Sequence, residues 1–245
     1  LAAAAIVVAV PLAGQTNPVA TRVALVRDGI VRMQFPGRPN VCGDGRGSTW
    51  IQNGRSTWNR DRDWVCGGPV FVRIGRSDGQ TISVRKSLGP RSSAGGSDTD
   101  LGDVSADDAA KYLISLAHTI GGGSADEALG AAGFAAASDL SREFSALVRD
   151  DNAPISSRKN ALFWLGQTGT STSALIDLDA TLQTRDLREQ FTFVLSQRDD
   201  DRAMRKLMDI ARTDRDVDVR KQAMFWLGQS KDPVAVKFFK DILTP

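Results

Sequence analysis

The chain has 245 residues, 41% of them hydrophobic and 24% charged, with a formal net charge of +2. Such a chain holds one large domain or two modest ones, and it is neither wholly disordered nor a multi-span membrane protein. With one histidine and two cysteines, it cannot build a zinc site on several histidines or any four-cysteine cluster within one chain. A Ser-His-Asp or Cys-His enzyme would have to work through His118.

Residues 1–13 (LAAAAIVVAVPLA) carry no charge and lead into Gly14-Gln15-Thr16-Asn17-Pro18. That pattern is the apolar core of a secretory signal peptide, so residues 1–15 are predicted to be its remnant. The segment would contact a membrane only as an uncleaved anchor. Cys42 and Cys66 bracket a loop of 23 residues rich in Gly, Asn, Asp, Ser and Trp. A loop with so little aliphatic content gains most from a disulfide, worth about 3 kcal/mol in the chain-entropy model. Both features predict an extracytoplasmic location, periplasmic or secreted.

Charge divides the chain. Residues 1–91 hold 13 Lys and Arg against 5 Asp, a balance of +8, and residues 92–245 hold 18 against 24, a balance of −6. Between them, residues 89–104 read as a flexible linker of Gly, Ser, Pro and Asp. The first module, 16–88, reads as β-structure. Val23, Leu25 and residues 30–35 flank the hairpin pair Asp28-Gly29. Residues 70–74 and 81–85 alternate around 77–80, which predicts a second hairpin with Val70, Val72, Ile74, Ile82 and Val84 inward.

The second module, 105–245, is helical and repeats. The blocks RKNALFWLGQ at 158–167, REQFTFVLSQ at 188–197 and RKQAMFWLGQ at 220–229 align without gaps, 30 and 32 residues apart. A fainter copy stands at 128–137, and a helix at 106–120 is expected to cap the stack. This periodicity fits paired helices that stack on their neighbours. The run Val217 to Pro233, with Val219-Arg220, Ala223, Leu227-Gly228 and Asp232-Pro233, resembles the HEAT-like repeats of α-solenoids, including the kind found in phycobilin lyases. The resemblance covers about half the chain and implies an α-α superhelix of about four repeats, with the repeated blocks on its concave layer. The middle copy departs at Val194 and Ser196, where the others have tryptophan and glycine. The expected fold class is α+β: a small disulfide-closed antiparallel β-domain followed by that solenoid.

Helical phase puts Ala161, Leu162 and Leu165 on one side and Phe163 well away from them. Gln167 lies about 40° from Phe163, since four residues advance a helix by about 400°. Phe193 with Gln197, and Phe225 with Gln229, repeat the arrangement. These six residues are the candidate protein-binding ladder, and Trp164 and Trp226 are read as core. A second candidate is the Cys42–Cys66 loop, with Arg46, Arg55, Arg60 and Arg62 beside Trp50, Trp58 and Trp64. Indole faces and guanidinium forks suit an anionic glycan or envelope polymer. Nucleic acid would use the same chemistry, but export argues against it. The +8 module also has the charge to dock on the −6 module.

His118 has no Ser or Cys motif near it and reads as a surface or cap residue. Asp199-Asp200-Asp201 and the 214–218 run read as helix caps rather than calcium loops. The expectation is a non-enzymatic, cofactor-free exported adaptor or scaffold with a protein partner. Anionic-polymer binding is the alternative, and phycobilin-lyase-like chromophore handling a second one.

Overall fold

A computed structural model describes residues 17–44, 48–51, 64–88 and 98–244. Helix α1 (Pro18–Ala24) opens it, where Asn17 Oδ1 accepts the amides of Val19 and Ala20 at 2.9 and 3.1 Å. Asn at the cap and Pro in the first turn are strong helix starts. Val23 is therefore buried on a helix and Leu25 left exposed just past its end. The hairpin expected around Asp28-Gly29 is absent; the cap and the four-residue spacing of Val19 and Val23 outweigh a two-residue alternation.

Seven strands follow among the described residues: β1 (Gly29–Pro36), β2 (Val41–Gly43), β3 (Thr49–Ile51), β4 (Val65–Cys66), β5 (Pro69–Ser77), β6 (Gln80–Leu88) and β7 (Thr99–Asp103). The larger sheet has the order β6-β5-β1-β7 and the smaller β3-β2-β4. The β5–β6 hairpin is as the sequence predicts. Asp78 and Gly79 both have positive φ, 50° and 77°, which matches the twist of the strands they join. Val70, Val72, Ile74 and Val84 are buried, but Ile82 is 63% exposed. The register slips between Gly75, opposite Ser83, and Arg76, opposite Thr81, so a bulge turns Ile82 outward.

The larger sheet is mixed, not antiparallel, because β7 runs parallel to β1. Residues 99–103, expected in the linker, are held there by ion pairs. Arg32 Nε meets Asp98 at 3.2 Å and Nη2 meets Asp100 at 3.5 Å, while Leu101 joins the core. In the smaller sheet Cys42 and Cys66 are direct cross-strand partners and form the expected disulfide.

The helices are α2 (Ala106–Leu116), α3 (Gly122–Phe134), α4 (Ser141–Arg149), α5 (Ile155–Gln167), α6 (Thr172–Ile176), α7 (Arg185–Ser196), α8 (Asp201–Thr213), α9 (Val217–Gln229) and α10 (Pro233–Leu243). Helices α3, α5, α7 and α9 form a row in which each packs on the next. Helices α2, α4 and α8 pair with α3, α5 and α9 from the other side, and α10 touches α8 and α9. The three repeated blocks lie on α5, α7 and α9. Their shared arginine reaches a carbonyl upstream: Arg158 Nε to Val148 O at 2.9 Å, Arg188 Nη1 to Gln183 O at 2.9 Å, Arg220 Nη1 to Asp214 O at 2.7 Å. Val148 O and Asp214 O lie at the ends of α4 and α8, where carbonyls lack an intrahelical partner, and Gln183 O also accepts Arg215 Nη2 at 2.8 Å. Arg158 is itself buried, so Arg158→Met should cost about 1–3 kcal/mol in urea denaturation by stranding the Val148 carbonyl. A loss below about 0.5 kcal/mol would show that another donor satisfies that carbonyl.

The repeated glycine also has a structural cause. A Cβ on Gly133 would lie inside the Trp164 ring, and one on Gly166 would come within 2.7 Å of Val194 Cγ1. Helices α3 and α5 thus each offer a glycine socket to a side chain of the next row helix, while α7 carries Ser196 at that position. This equivalence places the first copy at 125–134, with Ala128-Leu129 matching Ala161-Leu162, three residues earlier than its spacing in the sequence suggests. Gly130 then stands where later copies have phenylalanine, and Lys86 of β6 occupies the space, 5.8 Å from the Phe134 ring. The sheet, not α2, covers the start of the row; α2 is the outer partner of α3. Backbone bonds Arg38 N to Phe134 O (2.8 Å) and Ala136 N to Pro36 O (2.9 Å) tie the sheet to the helices, and one hydrophobic core runs through both.

Candidate functional site

Six aromatic rings run along the helix row. Phe134 meets Trp164 at 5.2 Å, Trp164 meets Phe163 at 5.1 Å, and Phe163 stacks on Phe193 at 6.2 Å with planes 16° apart. Phe193 then meets Trp226 at 5.2 Å, and Trp226 meets Phe225 at 5.0 Å. The structure brings together Phe163 and Phe193 of the predicted ladder, but Trp226 is interposed before Phe225. Phe163 and Phe193 are half-buried against the core; Phe225 is 53% exposed. Trp164 is buried as expected, whereas Trp226 is only partly covered. Edge and stacked contacts of this kind contribute about 0.5–1.5 kcal/mol each beyond area burial, so the run also stiffens the row.

The glutamines do not act as a set. Gln167 is half-buried, and its backbone oxygen accepts Arg38 Nη1 at 3.0 Å. Gln197 is exposed and donates to Ser196 Oγ at 3.2 Å, and Gln229 is exposed. Gln197 and Gln229 do share a cleft of about 740 Å³ between the α7–α8 and α9–α10 connections. Trp226, Arg198, Asp200 and Lys231 line it with them.

Two donors in this cleft are covered and unpaired: Trp226 Nε1 and Arg198 Nε. Arg198 gives Nη2 to Thr170 O, and its burial lowers the pKa. Buried N–H groups in folded proteins are nearly always satisfied, so these two mark a place for an oxygen acceptor. Neither stood out in the sequence, because a tryptophan inside a repeated apolar block reads as core and Arg198 lies just past the block. The missing signal is three-dimensional: Trp164 turns back onto Gly133 and Phe134 of α3, whereas Trp226 meets Phe193 of α7, which carries Ser196 in place of the glycine.

Asp200 faces the same cleft, but its oxygens are engaged. It accepts the amides of Arg202 and Ala203, both at 2.9 Å, and the Thr172 hydroxyl. Burial pushes its carboxyl up, yet these bonds and the nearby Arg198 charge hold it below the usual carboxylate range. Its stabilising contribution is therefore complete above about pH 3.9 and is lost as pH falls through the lower folded value. Acid titration followed by circular dichroism should show helix loss in that window, with a shallower slope for Asp200→Asn. Equal slopes would remove Asp200 as a contributor.

Of the second candidate set, Arg46, Arg55, Trp58, Arg60 and Arg62 lie outside the described residues, as does the Trp50 side chain; Trp64 is half-buried. Several cations of the basic module are taken up by the chain's own acids. Besides Arg32, Arg73 pairs with Asp98 at 3.4 Å and Lys86 with Glu127 at 3.2 Å. His118 Nδ1 lies 2.6 Å from Asp150 Oδ2, and this hydrogen bond is the main cause of a lowered Asp150 pKa. Among the described residues no group of three or more His, Cys, Asp or Glu side chains is placed to hold a metal ion. No helix among them is long and apolar enough to cross a membrane. Comparison with protein families, curated proteins and solved structures gives no match for this chain.

Proposed function

We propose that the helical region is a HEAT-like α-solenoid and that the protein is an exported, non-catalytic scaffold that holds a partner protein on it. One observation carries the reading: the aromatic run reaches the surface at Trp226 and Phe225 beside a 740 Å³ cleft with an unpaired, covered indole N–H. Aromatic anchors next to a desolvated donor are what a bound peptide segment uses, the rings taking an apolar side chain and the N–H a backbone carbonyl. The repeated arginines and glycine sockets support a stacked-repeat architecture. The Cys42–Cys66 bridge supports an oxidising compartment.

The test is affinity capture from cell-envelope extract with the wild type and with Trp226→Phe, which keeps a ring and removes the donor. Gln229→Ala, in the same cleft, serves as a second variant. Specific loss of one captured protein from both, with unchanged melting, is the expected result. Capture that is indifferent to both substitutions would overturn the cleft as the site.

A further inference from the structure

The socket rule within the helix row has an unfilled member. Gly133 receives Trp164, Gly166 lies against Val194, and a Cβ on Gly228 would meet nothing within 4 Å. Gly228 belongs to a stripe on α9 that includes Val217, Lys221, Met224 and Phe225, spaced by three, four and seven residues along one helix face. The matching stripe on α5, with Leu162, Phe163 and Gly166, packs against α7. On α9 Phe225 is instead 53% exposed, and Val217 is 48% exposed where its α5 counterpart Ile155 is 39%.

Helix α10 repeats the message. Helices α2, α4 and α8 each pack chiefly on the row helix that follows them, and α10 has none after it among the described residues. Its Val234, Val236 and Ile242 are exposed. Together α9 and α10 carry five of the nine large exposed hydrophobics among the described residues. A concentration of this kind marks an interaction surface. The missing element is one more helix, seated on the α9 stripe and against α10.

We propose that a second copy of this chain supplies that helix, through a two-fold pairing of α9 with α9. The stripe is complementary to itself: in an antiparallel pairing Val217 and Gly228 sit at opposite ends, so the second copy's Val217 comes opposite Gly228. Val194 against Gly166 is the same match of a β-branched side chain to a glycine, already present inside the chain. The new contact thus continues the interface that joins α5, α7 and α9. Two-fold symmetry closes it at two copies rather than building a filament. Lys221, the charged member of the stripe, pairs with Asp218 at 3.3 Å and can lay its stem along the seam while its ammonium stays in water.

Sedimentation velocity and light scattering on the full chain, from about 1 to several hundred micromolar, test this against the range of a modest interface. The wild type should rise from one-chain to two-chain mass with concentration. Gly228→Leu fills the socket, where a Cβ meets nothing within 4 Å, and replaces a helical glycine, so it should melt no lower than the wild type and remain at one-chain mass. Phe225→Ser should weaken association by at least tenfold. The proposal is overturned if the wild type stays monomeric throughout, which would leave the stripe to a helix of another protein. Association that survives Gly228→Leu would overturn it too, by locating the contact elsewhere. Gly228→Leu leaves Trp226, Phe225, Gln197 and Gln229 in place, so its outcome is independent of the cleft, whereas Phe225→Ser also removes the ring beside Trp226.

Discussion

Gly133→Ala should destabilise the protein, whereas Gly228→Ala, the same change one end of the row away, should stabilise it. At both positions alanine favours a helix over glycine, by up to about 1 kcal/mol. The difference lies in what the added methyl meets. At Gly133 it would enter the Trp164 ring, which cannot swing aside because Phe134 and Phe163 hold it edge-on at 5.2 and 5.1 Å. Overpacking of this severity belongs at the upper end of the ~1–3 kcal/mol range and outweighs the propensity gain. At Gly228 there is open space, so only the gain remains. Urea denaturation of the two variants at low protein concentration checks the signs. If both are stabilised, the Trp164 ring has another place to go and the socket rule fails at its first member.

Reduction of the Cys42–Cys66 bridge, or Cys42→Ser with Cys66→Ser, should cost about 3 kcal/mol, the loop-closure entropy of a bridge of this span. For a chain of this size that corresponds to a melting temperature lower by about 6–12 °C. The smaller sheet has few other means of holding together: β4 is only Val65–Cys66, and both residues are exposed. What ties that sheet to the main core is β2, where Val41 and Cys42 are buried and Gly43 lies directly against Leu88 of β6. If the main transition keeps its temperature on reduction, the smaller sheet melts by itself and β2 does not couple it to the core. Near-ultraviolet circular dichroism from the tryptophans separates that local event from global unfolding.

Much of the architecture was legible in the residues. The recurrence of Arg158, Arg188 and Arg220, each followed by apolar groups at the same offsets, located α5, α7 and α9, because a stacked helix must present the same face at each repeat. Alternation around Asp78-Gly79 located the β5–β6 hairpin, since a two-residue turn with positive φ at both positions leaves little choice of register. Two cysteines flanking an aliphatic-poor loop identified the disulfide. In each case the information is local or periodic, and short-range sterics or repetition suffices.

What failed to show in the sequence depended on partners distant along the chain. Ile82 faces water because of a one-residue slip that only the β5–β6 pairing reveals, and β7 is a strand because Asp98 and Asp100 find Arg32 some seventy residues away. Phe163, Phe193 and Phe225 look equivalent as residues, but neighbouring helices cover two of them and leave the third exposed. The same holds for Trp164 and Trp226, one sealed in the core and the other opening on a cleft. Composition and period by themselves determined that the chain joins a basic β-module to an acidic set of paired, repeating helices. Only the tertiary structure decided that the two share one core, and which copy of each repeated residue is left without a neighbour. The reason is physical: a repeat encodes the same contacts every time, but which neighbour stands beside each copy is settled only in three dimensions.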